Sequence, residues 1–123
     1  MLTLAGATRY RWSELPKDEP MPLLERRRVI GEQAMISHVT LQKGCLVPTH
    51  SHPNEQITCL LSGRLKFTLG DEGAASRQTV IVGPGEVMHL PGNVPHAAEA
   101  MEETVVLDVF SPPSANTGID RKS

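Results

Sequence analysis

The chain has 123 residues, enough for a single domain with its own core. Its formal charge of −2 leaves no basic footprint for nucleic acid or an anionic membrane, and no apolar run is long enough to cross a bilayer as a helix. Aromatic residues make up only 3% of the chain, so the core has to be built from Val, Leu, Ile and Met.

The first residues, MLTLAGATRYRW, lack the sustained apolar run of a secretory leader. Cys45 and Cys59 share no metal-type spacing and read as reduced thiols of a cytoplasmic protein. Cys59 lies in an apolar run and reads as a small core residue. Residues 1–30 form the least regular part, an N-terminal arm that ends in a first strand. Trp12 and the 16–22 region, bounded by Pro16 and Pro22, read as extended chain or loop. In a strand, Arg26 and Arg28 share one face and Arg27 takes the other. The run Arg26-Arg27-Arg28 suits either a solvated sheet edge protected by charge or an anion contact. An arm of this kind suits pairing with a second copy, so a homodimer is expected.

From Ala34 the period is close to two. Met35, Ser37, Val39 and Leu41 alternate with Ile36, His38, Thr40 and Gln42. Lys43-Gly44 supplies a turn, and Leu46-Val47 leads into a histidine pair. Residues 57–61 are β-rich. Leu65, Phe67 and Leu69 alternate with Arg64, Lys66 and Thr68, the pattern of a half-buried strand. Further strands are expected over 79–82, 87–90, 96–99 and 104–110, separated by turns rich in Gly and Pro. The segment 113–123 is polar and carries Pro, Ser and Gly, so it is expected to be mobile. No stretch reads as a helix of three turns. The expected fold is all-β, a sandwich or a small barrel spanning residues 31–112 with a site in its mouth.

The chemistry concentrates in two stretches. GCLVPTHSHPNEQITCLLSG, residues 44–63, holds His50 and His52 one residue apart and Gln56 shortly after. Pro48 and Pro53 exclude a helix, and in extended chain residues two apart share a face. GEVMHLPGNVPH, residues 85–96, brings His96 behind a Pro-Gly turn. An isolated His-x-His pair reads as surface; the second stretch turns it into a candidate centre of His50, His52, Gln56 and His96 for one divalent transition metal. Zinc or nickel is favoured, with iron or manganese also compatible. Four neutral ligands leave the cation's charge uncancelled, which favours an anionic small-molecule substrate. His38 and His89 read as structural histidines.

The first stretch resembles the first motif of the cupins: glycine, five residues, His-x-His, three residues, an acid or amide, six residues, glycine. Gly44, His50, His52, Gln56 and Gly63 fill those positions. The second stretch is similar to the second cupin motif through Gly85, Pro91 and His96, with Asn93 in place of its usual glycine and Ala100 where asparagine is frequent. The resemblance implies a cupin jelly-roll barrel around one metal. Gln56 stands where most cupins carry glutamate, and Glu55 beside it points to the other face of a regular strand. A His, His, Gln, His set is similar to that of the pectin-degradation cupins, which convert unsaturated uronates to keto forms, and to that of certain zinc polyketide cyclases.

Asp108-Val109-Phe110-Ser111-Pro112-Pro113 resembles a segment of the uronate-ketonising cupins. There the aspartate acts in proton transfer and the phenylalanine lines the sugar site. On the residues alone, Asp108 and Phe110 share a strand face whose reverse, Val105, Leu107 and Val109, is apolar. An aspartate so placed is either partnered structurally or functional. That family follows Ser-Pro-Pro with an arginine that grips the substrate carboxylate, and here the position is Ser114. Arg26, Arg28 or Arg121 would have to take that part. The expected activity is metal-assisted ketonisation with Asp108 catalytic and Phe110, Arg28 and Arg26 binding substrate. A dioxygenase, a polyketide cyclase and a non-catalytic sugar- or metal-sensing module are the alternatives.

Overall fold

The structure is a computed structural model that describes residues 1–119. Among the described residues there are twelve strands: β1 (Leu2–Leu4), β2 (Ala7–Arg9), β3 (Asp18–Met21), β4 (Leu24–Ile30), β5 (Met35–Leu41), β6 (Leu46–His50), β7 (Glu55–Ser62), β8 (Leu65–Leu69), β9 (Gln78–Val82), β10 (Val87–Leu90), β11 (His96–Ala100) and β12 (Thr104–Ser111). Among the described residues the only helical piece is a 3₁₀ turn, Trp12–Glu14. Strands β10-β7-β12-β5-β4-β3 make a six-stranded antiparallel sheet, and β6-β11-β8-β9 make a four-stranded one. Crossing between sheets after β5, β6, β7, β9, β10 and β11 is the jelly-roll arrangement, and the all-β cupin fold expected from the motifs is the fold observed.

The period-two pattern does what the physics requires. In β5 Met35, Ser37, Val39 and Leu41 point inward and are buried, while Ile36, His38 and Thr40 are only half-buried. The core joins both sheets: Leu24, Val39, Leu41, Leu60, Leu90 and Val106 from the larger meet Val47, Leu65, Phe67, Val82 and Ala100 from the smaller. Each fully buried Val, Leu or Phe contributes about 1.5–3 kcal/mol. Gly63 turns the chain between β7 and β8 at φ +86°, where a Cβ would overlap Glu103 O and Thr104 Oγ1. Only glycine fits that corner.

Three expectations change. The 1–30 segment is more regular than its sequence suggests, because β1 and β2 pair as a separate hairpin and β3 joins the large sheet ahead of β4. Pro20 sits in β3, which is an edge strand and tolerates a missing N–H. At Arg26 the arginine run is no solvated edge, since it pairs with Asp18 of β3 on one side and Val39 of β5 on the other; Arg27 and Arg28 pair with β5 alone. Residues 113–119 do not stand away from the barrel: Thr117 is buried and Ile119 packs against the core.

Candidate metal centre

His50 closes β6 and His96 opens β11, and the two are cross-strand partners. His52 lies in the β6–β7 loop, and Gln56 is the second residue of β7. Two sheet positions, one loop and one neighbouring strand therefore aim four side chains at one point. The ligand atoms of His50, His52 and His96 all lie within 4.8 Å of one another. Ring centroids are 4.3 Å apart for His50 and His96 and 5.2 Å for His52 and His96.

Hydrogen bonding fixes each ring. Nδ1 of His50 lies 2.8 Å from Pro48 O, that of His52 3.0 Å from Asn54 O, and that of His96 2.8 Å from Val94 O. A carbonyl only accepts, so each Nδ1 carries the proton and each Nε2 keeps its lone pair. His96 Nε2 is buried and has no hydrogen-bond partner. His52 Nε2 lies 3.1 Å from Gln56 Oε1. With Nδ1 protonated, both of these atoms are acceptors, and a lone-pair contact of that kind is favourable only with a cation between them. The amide is oriented this way because Gln56 Nε2 donates to Thr58 Oγ1 at 2.9 Å and to Asp108 Oδ1 at 3.3 Å. The donor set fits a divalent transition metal.

Electrostatics agree. Burial lowers the pKa of His50, with the charge of His52 adding to the effect. Burial also brings His96 down to about 4, against an opposing hydrogen bond to Val94 O. Neutral imidazole is the ligating form. Asp108 moves the other way: burial pushes its carboxyl up to about 6, although hydrogen bonds from Thr58 and Gln56 pull it down. Thr58 Oγ1 donates to Asp108 Oδ1 at 2.5 Å.

These groups border a cavity of about 50 Å³. His50, His96, Gln56, Thr58, Asp108 and Thr117 form its polar side, and the remaining wall is aliphatic or aromatic core. Other predicted residues sit elsewhere. Phe110 is buried with its ring centroid 5.7 Å from that of His52, so it backs a ligand. Arg26 is 4% exposed and clamps the Asp18 carboxylate through Nε and Nη2, both at 3.0 Å. Spent on Asp18, it does not border the cavity. Arg28 pairs with Asp18 at 3.8 Å and donates to Ala115 O at 3.2 Å. Its register partner Ser37 is also that of Asp108, which puts Arg28 on the row of the catalytic candidate, two strands away. Ser114 Oγ bonds Asn116 O, and Arg121 lies outside the described residues. Glu55 binds His89 at 2.6 Å, away from the centre. The His38 ring lies 5.4 Å from that of Trp12 and is tilted against it.

Sequence reasoning passed over Thr58, Asn54 and Thr117. Thr58 carried a signal, being two residues beyond Gln56 on the same strand face. Asn54 gives His52 its carbonyl and bonds Pro112 O through its side chain. Nothing local in the sequence announces that part, or the return of Thr117 to the barrel.

The cupin-domain profile matches residues 37–110. No curated protein sequence matches the chain. Among solved structures, KdgF from Halomonas sp. superposes with a TM-score of 0.73 at 25% identity, covering 83% of this chain and 92% of that one. An RmlC-like cupin from Shewanella frigidimarina gives 0.75 at 18% identity, covering 86% and 91%. Oxalate decarboxylase from Bacillus subtilis gives 0.77 at 21% identity over 90% of this chain, which spans only 31% of the longer enzyme. The last two likenesses speak to fold alone. The matched span takes in all four metal-ligand candidates, so with the barrel and the profile in agreement the chain belongs to the cupin family.

Proposed function

We propose that this cupin is a metal-dependent isomerase-type enzyme that shifts a proton on a small, carboxylated, enolisable substrate of the unsaturated-uronate kind. The observation that carries this reading is the Gln56–Thr58–Asp108 chain, which sets a carboxyl pushed up by burial to about 6 on the cavity that His50 and His96 also border. A divalent ion held by His50, His52, Gln56 and His96 would supply Lewis-acid polarisation of a substrate oxygen. Asp108, whose carboxyl burial pushes upward, gives a proton to the substrate carbon. The enol hydroxyl returns one, and the carboxyl is restored. No electron is exchanged. Thr58 and Gln56 keep Asp108 Oδ1 in place, and the aliphatic wall excludes bulk water. Arg28, on the row of Asp108, is the cation best placed for a substrate carboxylate. The likeness to KdgF supports the choice of substrate class.

The test follows the absorbance of unsaturated uronate. Wild-type protein loaded with zinc or nickel is expected to consume it, and Asp108→Ala is expected to lose about 10²- to 10⁴-fold in kcat with metal content unchanged. A wild type that leaves uronates untouched overturns the substrate class.

The apolar cavity wall favours a second reading, in which no Lys or Arg among the described residues borders the cavity. A less polar diketone or polyketide substrate suits such a wall, as in a cupin dioxygenase or cyclase. Oxygen uptake with iron or manganese separates this reading from the first. The expected homodimer belongs to the same proposal. The β1–β2 hairpin leaves Leu2 and Leu4 exposed and joins neither barrel sheet, and an isolated hairpin is marginal in water. Sedimentation of the full chain is expected to give twice the monomer mass.

A further inference from the structure

After β12 the chain does not leave the barrel. It crosses the ring of His50 and rests Ile119, half-buried, against the apolar core. Thr117 is 3% exposed and borders the same cavity as His50, His96 and Asp108. Gly118 lies flat on His50: a Cβ there would overlap Cδ2 and come within 2.9 Å of Cγ. Its φ of +94° is also a conformation that suits glycine. Gly118 N donates to Asn116 Oδ1 at 2.8 Å, and Asn116 N donates to Ser114 Oγ at 3.2 Å, so the segment holds its own turn. Arg28 reaches over to Ala115 O.

From this we infer that residues 115–119 form a strap that closes the cavity over the histidines and must lift for a ligand to enter. Size is the first argument. With the strap down, a cavity of about 50 Å³ holds on the order of a few waters and no ring-sized substrate. Fastening is the second. The strap lies in no strand, whereas β12 is laddered on both sides by β5 and β7. Segments tied down by side chains and short turns open at lower free energy than doubly paired strands. Arg28 touches both parts, since its Nη1 holds Ala115 O of the strap while its Nη2 pairs with Asp18. The inference rests on the metal-centre reading only for its purpose; the closure itself is a property of the chain.

Two measurements on the full-length protein test it. Native-state hydrogen exchange is expected to show the amides of 115–119 opening independently of denaturant, at least 100-fold faster than those of β12. Exchange of both segments at one common free energy overturns the proposal, because the strap would then open only on global unfolding. The second measurement uses the metal-free protein and follows diethyl pyrocarbonate modification of His50 by mass spectrometry. Gly118→Val, which wedges the strap off the ring, and Asn116→Ala, which removes its turn, are each expected to raise that rate about tenfold. Gly73→Val is the control: Gly73 also has a positive φ, +77°, but nothing lies within 4 Å of its Cβ position. A wild-type rate in a folded Gly118→Val variant overturns the strap. So does unfolding of both strap variants, which would make the segment a piece of core. Stripping of bound nickel by EDTA is expected to accelerate in parallel. If wild-type protein takes up no nickel or zinc at all, the metal reading fails while exchange and modification still decide the strap.

Discussion

Thr58 shows how much a single hydroxyl can settle. It accepts from Gln56 Nε2 and donates to Asp108 Oδ1, so it fixes which end of the amide faces the histidines. Thr58→Val keeps the volume and removes both bonds. Groups that orient a metal ligand are worth about 10- to 100-fold in affinity, and a loss of that size is expected in competition titrations with zinc. Asp108 gives a pH test in the metal-free protein. Its folded pKa of about 6 lies above the ordinary 3.8, so the folded state holds the proton more tightly. That contribution to stability is complete below pH 3.8 and is lost as pH rises through 6. Asp108→Asn removes the charge that burial opposes. The variant is therefore expected to be more stable than wild type at pH 8, by about 1–2 kcal/mol, with the gap closing toward pH 4. His96 runs oppositely, its stability being lost as pH falls toward 4, but wild type and variant share it. Denaturant melts at the two pH values decide the sign.

At the scale of elements, the turns and strands divide by how much of their cause is local. β8 and β10 fall on the residues where alternation and flanking glycines put them. β5, β7, β9, β11 and β12 agree to within a residue or two, because burying one face of a sheet enforces a period of two. β1, β2 and β3 escaped notice: two are three residues long, and the third contains Pro20 at an edge. Each pairs with its neighbour in the chain, but the runs are too short or too interrupted to show an alternating pattern. The histidine motifs made the centre legible, and inward alternation in β12 made Asp108 legible. The partners of Arg26 and Arg28 were not, since Asp18 stands opposite Arg26 only through a β3–β4 pairing whose β3 member, carrying Pro20, does not read as a strand. Gly63 offers the sharpest element-level test. Gly63→Ala places a Cβ against Glu103 and Thr104 at a positive φ, and a loss of about 2–4 kcal/mol is expected in denaturant unfolding.

For the whole molecule, a metal held at this centre would be a ligand of the folded state alone. Any ion bound by the three histidines raises stability by RT ln(1 + [L]/Kd), about 2.7 kcal/mol at a hundredfold excess over Kd. Thermal melts with zinc, nickel, iron and manganese are expected to rank the ions by their shift in Tm, and His96→Ala is expected to abolish every shift. A barrel whose core joins both sheets should keep its fold in that variant, because the imidazole of His96 borders the cavity and stands outside the main apolar cluster.

One arrangement reaches beyond the site. Each imidazole is anchored to a carbonyl only two residues away in its own chain, Pro48, Asn54 or Val94. The coordinating geometry is therefore finished before any ion arrives, and filling it asks for no refolding. A protein so arranged would be able to mature first and take up its ion afterwards.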